Sequence, residues 1–243
     1  MAARKSTTQT VSPVKKKVAK KRTPSPKVLE NAARRSVIAT ALAMSGSGLS
    51  PGRSGNVSCR WRDGMLITPS GMHYDTLKPS DIVFVAKDGA VSSKARKPSS
   101  EWRFHLAVYM ARPDRHAVVH THSLNATVLA CKHKPIPAFH YMVAAAGGKS
   151  IPCVPYAAFG TDELAEYVTE GVAQTDACLM ANHGQIAIGA TLDGALELAQ
   201  EVETLAAQYV NVLSLGKPKL LKDAEMDDVL ERFKGYGQNA QLP

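Results

Sequence analysis

The amino-acid sequence predicts a single α/β domain built on an antiparallel sheet. Three strand-like segments follow in succession between residues 56 and 86 and are joined by turns, as antiparallel neighbours are. Segments with a helical apolar period interleave with further short strand-like runs along the rest of the chain. A length of 243 residues suits one large domain or two small ones, and no internal repeat or second boundary divides it.

The elements follow in order. A helix is expected over 26–45, where Val28, Ala32, Arg35, Val37, Ala41 and Leu42 form a rough stripe, ending in the loop Ser45-Gly46-Ser47-Gly48. Residues 56–61 alternate, with Val57, Cys59 and Trp61 on one face. Asp63-Gly64 supplies a hairpin turn into a second strand over 65–68, and a third covers 82–86. Pro98-Ser99-Ser100-Glu101 opens a helix through about residue 111, with serine as N-cap and an acid in the first turn. A strand bearing His120 and His122 follows, then a helix over 125–131, a strand near 151–154 and a helix over 162–173. Strands over 178–181 and 185–188 flank His183, and the longest helix runs over 192–213, apolar at Leu192, Ala195, Leu196, Ala199, Val202, Leu205, Ala206, Tyr209 and Val210.

Composition narrows the classes. Hydrophobic residues at 44% and charged residues at 21% describe an ordinary globule. Apolar runs such as Ile82-Val83-Phe84-Val85 are too short to span a bilayer, and no secretory h-region follows the N-terminus. The net charge of +9 is local: residues 1–27 hold nine Lys or Arg and no acid, leaving 21 bases against 21 acids in the rest. That segment reads as a disordered basic tail ahead of a catalytic domain over 28–243, with weak polyanion binding as its minor role. Lys outnumbers Arg there without an amphipathic period, which disfavours a transit peptide. Cys59, Cys131, Cys153 and Cys178 form no CxxC pair and read as small core residues of a reduced, cytoplasmic protein.

The chemistry concentrates in Val118-Val119-His120-Thr121-His122 and Ala181-Asn182-His183-Gly184. Residues i and i+2 of a strand share a face, so His120 and His122 stand side by side, with His183 as a third imidazole from a turn. Three neutral nitrogens with an open fourth position suit a catalytic zinc ion. Glu101 is the first candidate partner, although acids in a first helical turn are common for dipole reasons alone. Ser99 and Ser100 are either caps or part of an anion site at a helix start. Ser54-Gly55-Asn56 and Thr68-Pro69-Ser70-Gly71 are either plain turns or turns that offer backbone N–H groups to a phosphate. His105 is a neighbour of the site or simple packing; His140 reads as a satisfied core histidine, and His73, His116 and His133 as surface or loop residues.

Together, Gly55-Asn56-Val57-Ser58, Thr68-Pro69-Ser70-Gly71, Pro98-Ser99-Ser100-Glu101, His120-Thr121-His122, His140-Tyr141 and His183-Gly184 closely resemble the class II aldolase/adducin family from about residue 30 to Tyr236. The resemblance implies helices flanking a central antiparallel sheet, and homotetramers with active sites at subunit interfaces. It implies His120, His122 and His183 as ligands of one Zn²⁺ per subunit. Glu101 becomes the catalytic acid/base, able to ligate the metal when no substrate is present. Gly55, Asn56, Ser70, Gly71, Ser99 and Ser100 form the phosphate pocket; Tyr141 handles the proton on the aldehyde oxygen, and Phe159 and Tyr236 line the aldehyde end. The expected reaction is retro-aldol cleavage of a ketose 1-phosphate, L-fuculose 1-phosphate or a 5-deoxypentulose 1-phosphate, to dihydroxyacetone phosphate and a short aldehyde. Arg53 stands where the family pattern is small, which leaves the sugar open. Relatives of the same fold also epimerise, dehydrate or decarboxylate sugar phosphates, and these remain alternatives.

Overall fold

The computed structural model describes residues 24–51 and 53–235. Helix α1 (Pro26–Gly46) starts with proline in its first turn, where the missing N–H costs nothing, and buries Val37, Thr40, Ala41 and Met44. Strands β1 (Asn56–Trp61), β2 (Gly64–Ile67) and β3 (Val83–Ala86) follow, then α2 (Trp102–Ala111), β4 (Ala117–Thr121) and α3 (Leu124–Cys131). Strand β5 (Cys153–Val154) precedes α4 (Asp162–Gly171), β6 (Ala177–Met180), β7 (Gly184–Gly189), α5 (Leu192–Ser214) and α6 (Asp223–Phe233).

The seven strands form one sheet in the order β3-β2-β1-β4-β7-β6-β5. Every pair is antiparallel except β5 with β6, so the sheet is mixed at one edge. Its two faces carry separate cores. Val57, Cys59, Leu66, Val119, Leu179 and Ala187 pack with residues of α1, α3, α5 and α6. Met65, Ile67, Val85, Val118, Cys178, Ile186 and Ile188 pack with residues of α2 and α4. The alternation along each strand distributes the side chains between these layers.

Several expectations shift. The β1–β2 turn is Arg62-Asp63, because Gly64 already pairs with Trp61 and with Ala86. The helix expected from Pro98 begins at Trp102, since residues 97–99 are held extended against 68–70: Ser70 N donates to Lys97 O at 3.0 Å and Ser99 N to Thr68 O at 3.0 Å. Ile151 bridges to Ile136, outside β5. Helix α6 was not expected. Cys59 and Cys178 are buried, but Cys153 is half-buried and Cys131 exposed, so the core reading fails for Cys131. Most of the expected tail lies outside the described residues; Pro26 and Lys27 already belong to α1.

Candidate active site

Strand β4 sits at the sheet centre, between β1 and β7. His120 lies within it, opposite Asn56 of β1 and Ile186 of β7, and is fully buried. His122 follows just past the strand end. His183 comes from the three-residue turn between β6 and β7, where Asn182 adopts φ 56°. Gly184 allows that turn to close: a Cβ there would lie 2.4 Å from Thr121 O and 3.1 Å from the His122 ring. The three rings stand 4.8 to 4.9 Å apart, centroid to centroid, at 68° to 76° to one another.

Glu101 caps the start of α2, but its side chain does not cap the helix. It turns instead toward the imidazoles, with Oε2 3.2 Å from His120 Nε2 and Oε1 2.9 Å from His183 Nε2. His120 Nδ1 lies 2.8 Å from Gln185 O, a carbonyl that only accepts, so this nitrogen carries the hydrogen and Nε2 presents its lone pair. That lone pair faces His122 Nε2 at 3.0 Å and the Glu101 carboxylate. Glu101 Oε1 is buried without an aligned donor despite the nearby His183 ring. One ligand atom from each of Glu101, His120, His122 and His183 lies within 4.8 Å of the others. Converging lone pairs and a carboxylate repel one another unless a cation stands among them. The donor set therefore fits a metal ion, of the nitrogen-and-carboxylate type that suits zinc.

Without a metal, the charges of the cluster are strongly coupled. Burial works against the Glu101 charge, but His120 and His183 outweigh it and hold the carboxyl well below the usual range. Burial likewise opposes a charge on His120, and Glu101 reverses this and raises it. His122 is pushed down to about 4 by burial and by the other two histidines.

A cleft of about 360 Å³ opens above this cluster. Arg53, Ser54, Gly55, Ser70, Gly71, Ser99 and Ser100 line one side, and Tyr156, Ala157 and Phe159 another. The pairing of 68–70 with 97–99 is what brings the two turns together. Gly55 has φ 83°, and a Cβ there would meet His120 O at 2.6 Å, so only glycine lets this turn approach β4. Arg53 Nη1 donates to Gly71 O at 3.0 Å, tying the two turns across the cleft mouth.

Of the expected residues, the structure thus gathers Gly55, Asn56, Ser70, Gly71, Ser99, Ser100, Glu101, His120, His122, Phe159 and His183. Tyr141 is not among the cleft-lining residues: it stacks on His140 at 4.9 Å, half exposed. Tyr236 lies outside the described residues. Tyr156 lines the cleft without having been expected; it belongs to no motif, and only its place in a short loop after β5 connects it to Phe159. His140, expected in the core, is half-buried and accepts from Met142 N through Nδ1.

Residues 35–210 match the family described as class II aldolase and adducin N-terminal domain. A 5-methylthioribulose-1-phosphate/5-deoxyribulose-1-phosphate aldolase of Rhodospirillum rubrum is 51% identical over 212 residues, covering 87% of this chain and 96% of the relative. An L-fuculose phosphate aldolase of Escherichia coli K12 is 50% identical over 204 residues, covering 84% and 94%. Among solved structures, an L-fuculose 1-phosphate aldolase superposes with a TM-score of 0.81 at 39% identity, covering 84% of this chain and 96% of the other. These relatives favour carbon–carbon cleavage over epimerisation or dehydration. The chain belongs to the class II aldolase and adducin family, as one of its aldolases.

Proposed function

We propose that this aldolase cleaves a ketose 1-phosphate to dihydroxyacetone phosphate and a short aldehyde, with zinc held by His120, His122 and His183. The observation that carries the reading is the Glu101 carboxylate set among three converging imidazoles at the floor of a cleft walled by hydroxyls and turns. The bound metal supplies a Lewis acid for the negative charge that develops on the ketone oxygen. Glu101 delivers the proton to the carbon released when the C–C bond breaks, and removes it in the reverse direction. Backbone N–H groups of Ser54, Gly55 and Gly71, with the Ser70, Ser99 and Ser100 hydroxyls, hold the phosphate, so that binding at an unreacting end orients the reacting one. Phe159 and Tyr156 offer apolar surface to the aldehyde part.

The relatives divide between L-fuculose phosphate and 5-methylthio- or 5-deoxyribulose 1-phosphate at nearly equal identity, so both remain candidate substrates. Tyr141, half exposed and away from its own cleft, we read as serving the cleft of a neighbouring copy in a homotetramer. No helix among the described residues is long and apolar enough to cross a membrane. Separately, four free thiols support a reduced cytoplasmic setting. The charge excess of residues 1–27 supports a separate, weak polyanion contact.

The test is product analysis. Purified protein is incubated with L-fuculose 1-phosphate and with 5-deoxyribulose 1-phosphate, and dihydroxyacetone phosphate is measured before chelation, after it, and after zinc is restored. Formation that stops with chelator and returns with zinc is expected, in protein with or without residues 1–23. No dihydroxyacetone phosphate from either sugar, or cleavage persisting in metal-free protein, contradicts the reading.

A further inference from the structure

A line of hydrogen bonds leaves Glu101 on the side away from the cleft. Asn56 Nδ2 donates to Glu101 Oε2 at 2.8 Å. Asn56 Oδ1 meets His105 Nε2. Ser58 Oγ lies 2.7 Å from His105 Nδ1 and 2.8 Å from the Tyr109 hydroxyl. All four residues are buried, between the α2-facing side of β1 and the first two turns of α2.

The direction of every bond follows from the first. An ionised carboxylate only accepts, so Asn56 must turn its NH₂ toward Glu101 and its carbonyl oxygen toward His105. That oxygen also only accepts, so His105 Nε2 carries the ring hydrogen and Nδ1 is bare. Ser58 then donates to Nδ1 and accepts from Tyr109. An inverted Asn56 amide would set an oxygen against a buried carboxylate oxygen. Filling space in this core would require only a ring of similar size. A hydrogen at one particular nitrogen is needed only to hold Asn56.

We propose that His105 is a positioning residue for proton transfer: its Nε2-bound hydrogen locks the Asn56 amide in the one orientation that pins the Glu101 carboxylate. Asn56 thus commits its Oδ1 and one amide hydrogen inside the protein, and its second amide hydrogen stays available to the cleft that it lines, beside the neighbouring backbone and serine groups. This inference rests on Glu101 being the proton-transfer group.

Two measurements test it. Nitrogen-15 NMR of the zinc-loaded wild-type protein should show His105 as the neutral Nε2–H tautomer, a result independent of turnover. His105→Phe keeps the ring and removes the hydrogen. A displacement of the reacting group by about 1 Å can cost about 10²-fold, so kcat should fall by about 10- to 100-fold. KM and zinc content should stay within about threefold, because the metal ligands and the serine and backbone contacts to phosphate are untouched. His105→Gln places an amide hydrogen near the position of Nε2 and should restore most of the loss. An Nδ1–H tautomer, a folded His105→Phe with kcat within about threefold of wild type, or a His105→Gln no better than His105→Phe overturns the proposal. Should the variants fail to fold, the tautomer in the unmodified protein still decides. A wild-type protein that cleaves no ketose 1-phosphate would instead defeat the functional reading, and leave the tautomer to report on the relay alone.

Discussion

The floor and the mouth of the cleft are built on opposite terms. At the floor, Glu101 and His120 are 7% and 0% exposed, and their positions are set by bonds within the chain: Asn56 Nδ2 donates to Glu101, and His120 Nδ1 donates to Gln185 O. At the mouth, Tyr156 and Phe159 are 60% and 69% exposed, although they are large rings. A preorganised, water-poor floor suits charge and proton movement, where misplacement is costly. Exposed aromatics at a rim suit contact with something supplied from outside, an aldehyde or another copy of the chain. On the proposed reading, proton transfer needs only the single chain, whereas carbon–carbon cleavage depends on the rim as well.

The largest effect expected from breaking the floor is at Glu101. Glu101→Gln keeps the shape but cannot accept the proton, and should lower kcat by about 10²–10⁴-fold, the usual contribution of a general acid–base group. Steady-state assays on zinc-loaded protein check this, and a loss below about tenfold would place the base elsewhere. His120→Ala should act differently. Metal content measured by atomic absorption should fall first, with activity lost in proportion. Retained zinc with lost activity would contradict the ligand assignment.

A smaller effect concerns stability. His105 is pushed down to about 3, chiefly by burial, against about 6.5 for an exposed histidine. The folded state favours the neutral ring, so its contribution is fully present above pH 6.5 and is lost as pH falls toward about 3. His105→Gln has no such contribution to lose. Urea unfolding of metal-free proteins should show the wild-type advantage over His105→Gln shrinking between about pH 7 and about pH 4. A constant difference across that range would mean that the ring is not held neutral.

The floor was legible in the sequence because its metal-type donors come in a strand period and a turn, His120-Thr121-His122 and His183-Gly184. The strands were legible for the same reason, with boundaries off by a residue or two where pairing partners decide the ends. The polar side of β1 was not legible. Asn56, Ser58 and Arg60 alternate with Val57, Cys59 and Trp61 as the polar face of a strand, and nothing in that period shows that Asn56 and Ser58 are buried under α2. Period alone does not tell a solvated polar face from a satisfied internal one. Helix α6 was missed although Met226, Val229, Leu230 and Phe233 carry a helical stripe; the surrounding charges masked it. Tyr156 carries no pattern at all, since its role comes only from the loop that sets it beside Phe159.

The division between floor and mouth meets its most direct test in a half-reaction that needs no aldehyde. Dihydroxyacetone phosphate alone is incubated with zinc-loaded enzyme in D₂O, and loss of its exchangeable carbon-bound proton is followed by proton NMR. Wild-type protein and Phe159→Ala should exchange at similar rates, although Phe159→Ala cleaves its ketose phosphate more slowly, whereas Glu101→Gln should not exchange measurably. Exchange by Glu101→Gln at the wild-type rate, with zinc still bound, would contradict the claim that this buried carboxylate moves the proton.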